Sequence, residues 1–248
     1  MSSEKQSTRP HLEGVEPDGR KLKKKLDQAG EARTPLPQAK YPIAKPLSYR
    51  IGKRVFDILF SLAVLVGLFI PGLFIAFLIW RDTKASPIYT QERLTYHGRT
   101  FRIVKFRSMV ADSDNVEKYF TPAQLLIWKR ERKVENDPRI TKLGRFIRAT
   151  SIDELPQFWN VLVGDMSVVG PRAITSDELE WFGTDKDILL SVKAGMTGLW
   201  QTSSRNKATF VTGQRQALEL EYVRNSGFWY DMSIVVKTIG VVLSKTGK

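Results

Sequence analysis

The stretch VFDILFSLAVLVGLFIPGLFIAFLIW, Val55 to Trp80, is almost continuously apolar, interrupted only by Asp57, Ser61, Gly67 and the pair Pro71-Gly72. As one straight helix it would run about 39 Å at 1.5 Å per residue, more than the roughly 30 Å hydrocarbon core of a bilayer requires. Lys45, Arg50, Lys53 and Arg54 precede it, and Arg81, Lys84, Arg93 and Arg99 follow it. Basic flanks are retained on the cytoplasmic face, so both ends belong on one side. A helix can enter and leave by the same face only if it breaks. Pro71 removes a backbone donor and clashes with the preceding turn, and Gly72 loosens the backbone after it. The reading is a re-entrant membrane helix over 51–81, broken at Pro71, with a second leg from Leu73 to Trp80 about 12 Å long. The competing reading is a spanning helix, since proline is tolerated in those.

Residues 1–46 are polar, with Lys21, Lys23, Lys24 and Lys25 clustered and Pro35, Pro37, Pro42 and Pro46 beyond them. This composition predicts a disordered basic arm, either lying against anionic headgroups or acting as a solubilising tail. It carries no apolar h-region and does not read as a signal peptide. Residues 47–248 are read as one domain. The chain has 39 Lys and Arg against 26 Asp and Glu, a formal charge of +13, which suits a phosphate-rich partner. No cysteine and two histidines, His11 and His97, exclude a disulfide framework and thiolate metal sites and argue against a zinc site or a Ser-His-Asp triad. Chemistry must then rest on carboxylates, Lys, Arg and a hard cation. The basic residues are not interleaved with aromatics in any nucleic-acid-binding module, so no nucleic acid is expected as a partner.

After the apolar stretch, Ile88 to Gln91 and Thr100 to Lys105 alternate apolar and polar around His97-Gly98, which predicts a β-hairpin. Thr121-Pro122 reads as an N-cap with Pro at the first helical position, and Thr175 with Glu178 as a capping box. Phe228 to Leu243 carries a wide apolar face, read either as an interfacial helix on the bilayer or as one packed on the core. The fold class expected is α+β, mainly helical, with a β-hairpin and interfacial amphipathic helices.

Ser151-Ile152-Asp153-Glu154-Leu155-Pro156-Gln157 sets two adjacent carboxylates at a helix start. Ser151 and Glu154 read as a capping box, which would place Asp153 and Glu154 in the first turn, where free amides and the helix dipole favour negative charge or bound phosphate. The plain alternative is a pair of acids that merely complements the dipole.

Five elements follow the apolar stretch in order: Lys105 to Met109; Asp137 to Thr141, continuing to Arg148; Ser151 to Gln157; Asn160 to Arg172; and Gly195 to Gln201 with Arg205-Asn206. Together they resemble the monotopic phosphoglycosyl transferases, bacterial sugar transferases of exopolysaccharide and O-antigen initiation, over roughly Leu47 to Thr246. The resemblance implies a membrane enzyme of the bacterial inner membrane, with its catalytic domain and both termini cytoplasmic. It would move a hexose-1-phosphate from a UDP-sugar to undecaprenyl phosphate, releasing UMP, with Mg²⁺. By matching motifs Asp153 would be the nucleophile and Glu154 its partner in metal binding or proton handling. Lys105, Arg148, Arg172 and Arg205 would bind phosphate. The Leu199-Trp200-Gln201 and Ile174 to Gly183 stretches resemble hexose enzymes, which points to UDP-galactose or UDP-glucose. Membrane lipids, a second copy of the chain and downstream glycosyltransferases are the further partners it implies. Departures are Ile70 where the family has Ser before Pro71, Ala173 after Arg172, Ser204 before Arg205-Asn206, and Glu219 where an Asp is common. A degenerate, non-catalytic membrane scaffold is the alternative they leave.

Overall fold

The computed structural model describes residues 41–131, 134–203 and 210–243; most of the expected basic arm, and Arg205, lie outside the described residues. Two helices open the domain, Leu47–Gly67 (α1) and Phe69–Thr83 (α2), followed by an antiparallel hairpin of Ile88–Leu94 (β1) and Thr100–Phe106 (β2). Helices Pro122–Glu131 (α3), Lys142–Ala149 (α4) and Gln157–Val163 (α5) lead to Ser167–Val169 (β3), which pairs in parallel with Gly195–Thr197 (β4). Leu199–Ser203 (α6), Gln214–Asn225 (α7) and Phe228–Leu243 (α8) complete it. The expected hairpin and the mainly helical α+β class are present; the parallel β3–β4 pair was not anticipated. That pair depends on close backbone approach, because a Cβ on Gly195 would collide with the Gly170 backbone.

The α1–α2 pair is bent by 63°, and the break lies at Leu68, not at Pro71. A proline ring clashes with the carbonyl four residues earlier, here that of Gly67, so the first helix ends there. Pro71 then takes the third position of α2, where first-turn amides have no intrahelical acceptor and a missing one costs little. The second leg therefore has 15 residues instead of eight. Among the described residues no single helix is long and apolar enough to cross a membrane.

Helix α1 is inverted in polarity. Leu47, Ile51, Val55, Leu59, Leu62 and Val66 recur at helical spacing and are exposed, while Asp57 and Ser61 are buried. Phe56, Phe60, Val64 and Leu65 pack against the main core around Val161, Val169 and Val223. Asp57 Oδ1 accepts from Ser167 Oγ at 3.0 Å and from the Val168 amide at 2.9 Å. Arg54 donates to the carbonyls of Val161 and Leu162 at the end of α5, at 2.6 and 2.7 Å. Lys53 pairs with Asp231 of α8 at 2.6 Å, and the Tyr49 and Tyr222 hydroxyls donate to the same carboxylate. Residues read as membrane-flanking charges or as an interruption thus tether α1 to the domain.

Helix α8 packs part of its apolar face on the core and leaves part exposed. Ile234 is fully buried and Thr238 meets Thr197 at 2.7 Å, whereas Trp229, Val236 and Ile239 are exposed. Thr121 caps α3 reciprocally with Gln124, and the Thr175–Glu178 capping box forms as expected.

Replacing Asp57 by alanine strands a buried hydroxyl and a buried amide, and should destabilise the fold by about 2–4 kcal/mol. Leu59→Ala, on the outward face, should shift thermal unfolding of the purified protein far less. Equal shifts for the two variants would contradict the tether.

Candidate active site

Helix α4 starts at Thr141, whose side chain accepts from the Gly144 amide at 2.9 Å, and ends at Thr150. Ser151 reverses the chain in a left-handed conformation, φ 57°, and Ile152–Glu154 forms one 3₁₀ turn. The expected capping box is absent. Ser151 makes no side-chain cap, and the amides that would have been free donate to carbonyls three residues back, Glu154 to Ser151 and Leu155 to Ile152, each at 3.1 Å. Helix α5 begins only at Gln157, beyond Pro156. Glu154 is therefore held by cations and not by a helix cap.

Glu154 Oε1 lies 3.6 Å from Lys105 Nζ and 3.9 Å from Arg172 Nη1. Arg148, in the last turn of α4, donates from Nε to Ser108 Oγ at 2.9 Å. Asp153, Lys105, Arg148 and Arg172 line one cleft of about 620 Å³, and Glu154 joins Lys105 and Arg172 around a smaller cavity beside it. Four of the five described site residues thus share one cleft, and the fifth touches two of them.

The hairpin brings Lys105 there because alternation along β2 puts it on the face that buries Phe101 and Ile103. Asn160 of α5 clamps this strand: its Oδ1 accepts from the Val104 amide and its Nδ2 donates to the Arg102 carbonyl, both at 2.9 Å. Arg172 is set by a parallel bridge to Gly195, and its guanidinium stands 5.8 Å from the Trp200 ring. The Asp137–Arg139 element forms part of the cleft wall: Arg139 lines the cleft, its ion pair with Asp137, at 2.6 Å, is buried, and it also donates to the Ser113 carbonyl and packs on Phe120.

Desolvation lowers the Lys105 pKa, opposed by Glu154 and Asp153 and reinforced by Arg172. Desolvation likewise pulls Arg148 below its ordinary value, with Asp153 and Asp137 opposing. Guanidinium and ammonium groups brought together in this way suit the oxygens of a phosphate group.

Arg93 was read only as a flanking charge. It lines both cavities and lies 3.6 Å from Glu178, whose role in sequence was a cap alone. The signal that could have placed it is period-two alternation, since Arg93 pairs with Phe101 and so shares the Lys105 face. No cluster of three or more metal-ligating side chains occurs among the described residues. Asp153 and Glu154 are the carboxylates available to a hard cation.

The family described as bacterial sugar transferase matches residues 48–245. The chain belongs to that family. It is 46% identical over 204 residues to a UDP-galactose-lipid carrier transferase of Erwinia amylovora, covering 81% of this chain and 42% of the relative. It is 45% identical over 203 residues to an undecaprenyl-phosphate galactose phosphotransferase of Salmonella typhimurium, with the same coverage. The exopolysaccharide production protein ExoY of Sinorhizobium fredii is 38% identical over 200 residues, covering 79% of this chain and 88% of that protein. The chain thus spans less than half the length of the first two relatives and most of the third.

If this transferase-family cleft binds diphosphate through its cations, Arg148→Ala should weaken binding of uridine diphosphate by about 1.5–3 kcal/mol, the scale of a hydrogen bond to a charged group. Arg145→Ala, one turn earlier and exposed on α4, should not. Calorimetric titration of both variants checks this, and equal affinities would remove Arg148 from the site.

Proposed function

We propose that the chain transfers a hexose-1-phosphate from a UDP-sugar to undecaprenyl phosphate through a covalent intermediate on Asp153, releasing UMP. The observation that carries this is the convergence of Asp153 and Glu154 with Lys105, Arg148 and Arg172 at one cleft. The names of the two relatives near 45% identity make UDP-galactose the first donor to test, with UDP-glucose next.

An Asp153 carboxylate oxygen attacks the phosphorus that carries the sugar, and the bond from that phosphorus to the oxygen bridging the two phosphates breaks. UMP leaves with the bond electrons. An oxygen of undecaprenyl phosphate then attacks the same phosphorus, and the acyl phosphate bond breaks to return the Asp153 carboxylate. Splitting the transfer lets a water-soluble donor and a lipid acceptor react in turn. Lys105, Arg148 and Arg172 hold the diphosphate oxygens and stabilise charge that builds on the leaving phosphate. Glu154, held by Lys105 and Arg172, keeps its position beside the nucleophile. Two adjacent carboxylates suit Mg²⁺, which commonly takes one or two carboxylates and completes its shell with substrate phosphates and water; bound there, it would neutralise diphosphate charge.

The membrane placement rests on the outward apolar faces of α1 and α2 and on how the pair is anchored. Its start is tied to the domain through Lys53, Arg54 and Asp57, and its end packs through Ile79 against Phe106 and Ile147. A pair with both ends held by one body enters and leaves a bilayer by the same face. This supports a re-entrant segment; the basic residues that flank it support the cytoplasmic side for the domain.

Asp153→Asn keeps the shape and removes the nucleophile, so UMP release should fall by several orders of magnitude while UDP-sugar binding survives. Wild-type protein given UDP-galactose without acceptor should gain a hexose-phosphate on Asp153 by intact mass. Ternary-complex kinetics with no adduct would rule out the covalent route.

For topology, cysteines placed singly at Ser48 and Ser86 should both resist a membrane-impermeant thiol reagent on intact cells. Labelling of Ser86→Cys alone would mean that the segment spans.

A further inference from the structure

Glu219 on α7 is a carboxyl for which the proposed chemistry has no use, yet it is 1% exposed. Both of its oxygens lie 3.2 Å from the backbone amide of Arg172. Burial raises its pKa to about 7, with Arg215 and Arg172 opposing. Burying a carboxyl is costly unless a specific partner holds it, and here the partner is the main chain of a residue in the cleft.

The surroundings of Glu219 lead to the same residue. Arg215, one turn earlier on α7, packs its guanidinium 3.9 Å from the Phe210 ring and 4.3 Å from the Trp200 ring. Trp200 is also the ring that the Arg172 guanidinium approaches. The Arg172 backbone meets Gly195 of β4 through a parallel bridge and the Glu219 carboxyl through its amide. One helix outside the cleft therefore supports both the main chain of Arg172 and the indole beside its guanidinium.

We propose that Glu219 is a positioning residue for Arg172, its carboxylate fixing the Arg172 amide so that the guanidinium stands beside Glu154 in the phosphate-binding cleft. This rests on the reading of Arg172 as a phosphate ligand. The rival is a purely structural role, in which Glu219 satisfies a buried amide and nothing in the cleft depends on it.

A double-mutant cycle separates the two. Affinity for uridine diphosphate, the KM for UDP-galactose and the melting temperature at pH 8 are measured for wild type, Glu219→Gln, Arg172→Ala and the double variant. Glutamine keeps the volume and one carbonyl acceptor, but loses the charge and the second acceptor. Glu219→Gln should weaken diphosphate binding about tenfold in the wild-type background, within the cost of misplacing a binding group. It should change binding by less than about twofold once Arg172 is alanine, because the two act as one unit. Its KM should rise by more than its kcat falls, and any fall in melting temperature, from leaving the buried Arg215 guanidinium without its counter-charge, should be the same in both Arg172 backgrounds. Glu219→Asp, which keeps the charge and withdraws it by one methylene, should show the same dependence on Arg172 and serves if the glutamine variant does not fold. An equal penalty in both backgrounds, no penalty in the wild-type background, or a loss that follows melting temperature would overturn the proposal. If Arg172→Ala binds diphosphate as wild type does, the failure is that of the Arg172 reading. If Arg172→Ala is weakened and Glu219→Gln is not, it is that of Glu219 alone.

Discussion

The buried carboxylate of Asp57 is the contact on which the arrangement turns. It sits in the middle of a helix whose outward face is apolar and accepts from Ser167 and Val168 of β3. An unpaired acid there would carry a large desolvation cost, so helix and strand hold one another in a single geometry. From β3 the chain runs through Gly170 and Pro171 to Arg172, whose register is completed by β4. The position of a cleft cation is thereby linked to the helix that bears the outward apolar face. Arg54 on the end of α5 and Lys53 on Asp231 add two further ties.

The cleft follows from a second constraint, the gathering of cations and carboxylates from distant parts of the chain. Lys105, Arg148 and Arg172 gather about Asp153 and Glu154, each delivered by a different element: a strand end, a helix end and the loop after a strand. Desolvation works against the charges of Lys105 and Arg148, and the dyad offsets this only in part. The parts that hold this arrangement are Asn160 across α5 and β2, and the close Gly170–Gly195 contact.

The apolar stretch with its proline, the alternation of the hairpin, the threonine caps of α3 and of the turn at Ser176, and the order of the five motif elements were all legible in the chain. Each reflects interactions between residues close in sequence: ring sterics at Pro71, side-chain alternation along a strand, a hydroxyl reaching an amide three residues on. The same local sterics put the helix break at Leu68, one turn before the proline that causes it. Lys105, Arg148, Arg172 and the dyad were recognisable only as members of an ordered motif series; their spacing in the chain says nothing of their convergence.

What the tertiary structure alone decided is which charges face which. Ser151 and Glu154 have the spacing of a capping box, but Ser151 adopts a left-handed turn and Glu154 finds Lys105 and Arg172. Lys53, Arg54 and Asp57 resemble flanks and an interruption, and they are tethers; Arg93 resembles a flank and lines the cleft; Glu219 stands out in sequence only as a departure from a common Asp, and it is found at the Arg172 amide. A charged side chain looks the same in sequence whether water or a partner 100 residues away surrounds it. By itself the sequence determined the local elements and the inventory of chemistry. Pairing through space, set by burial and by distances that exist only after the chain is packed, determined which of those groups form the cleft and which hold it in place.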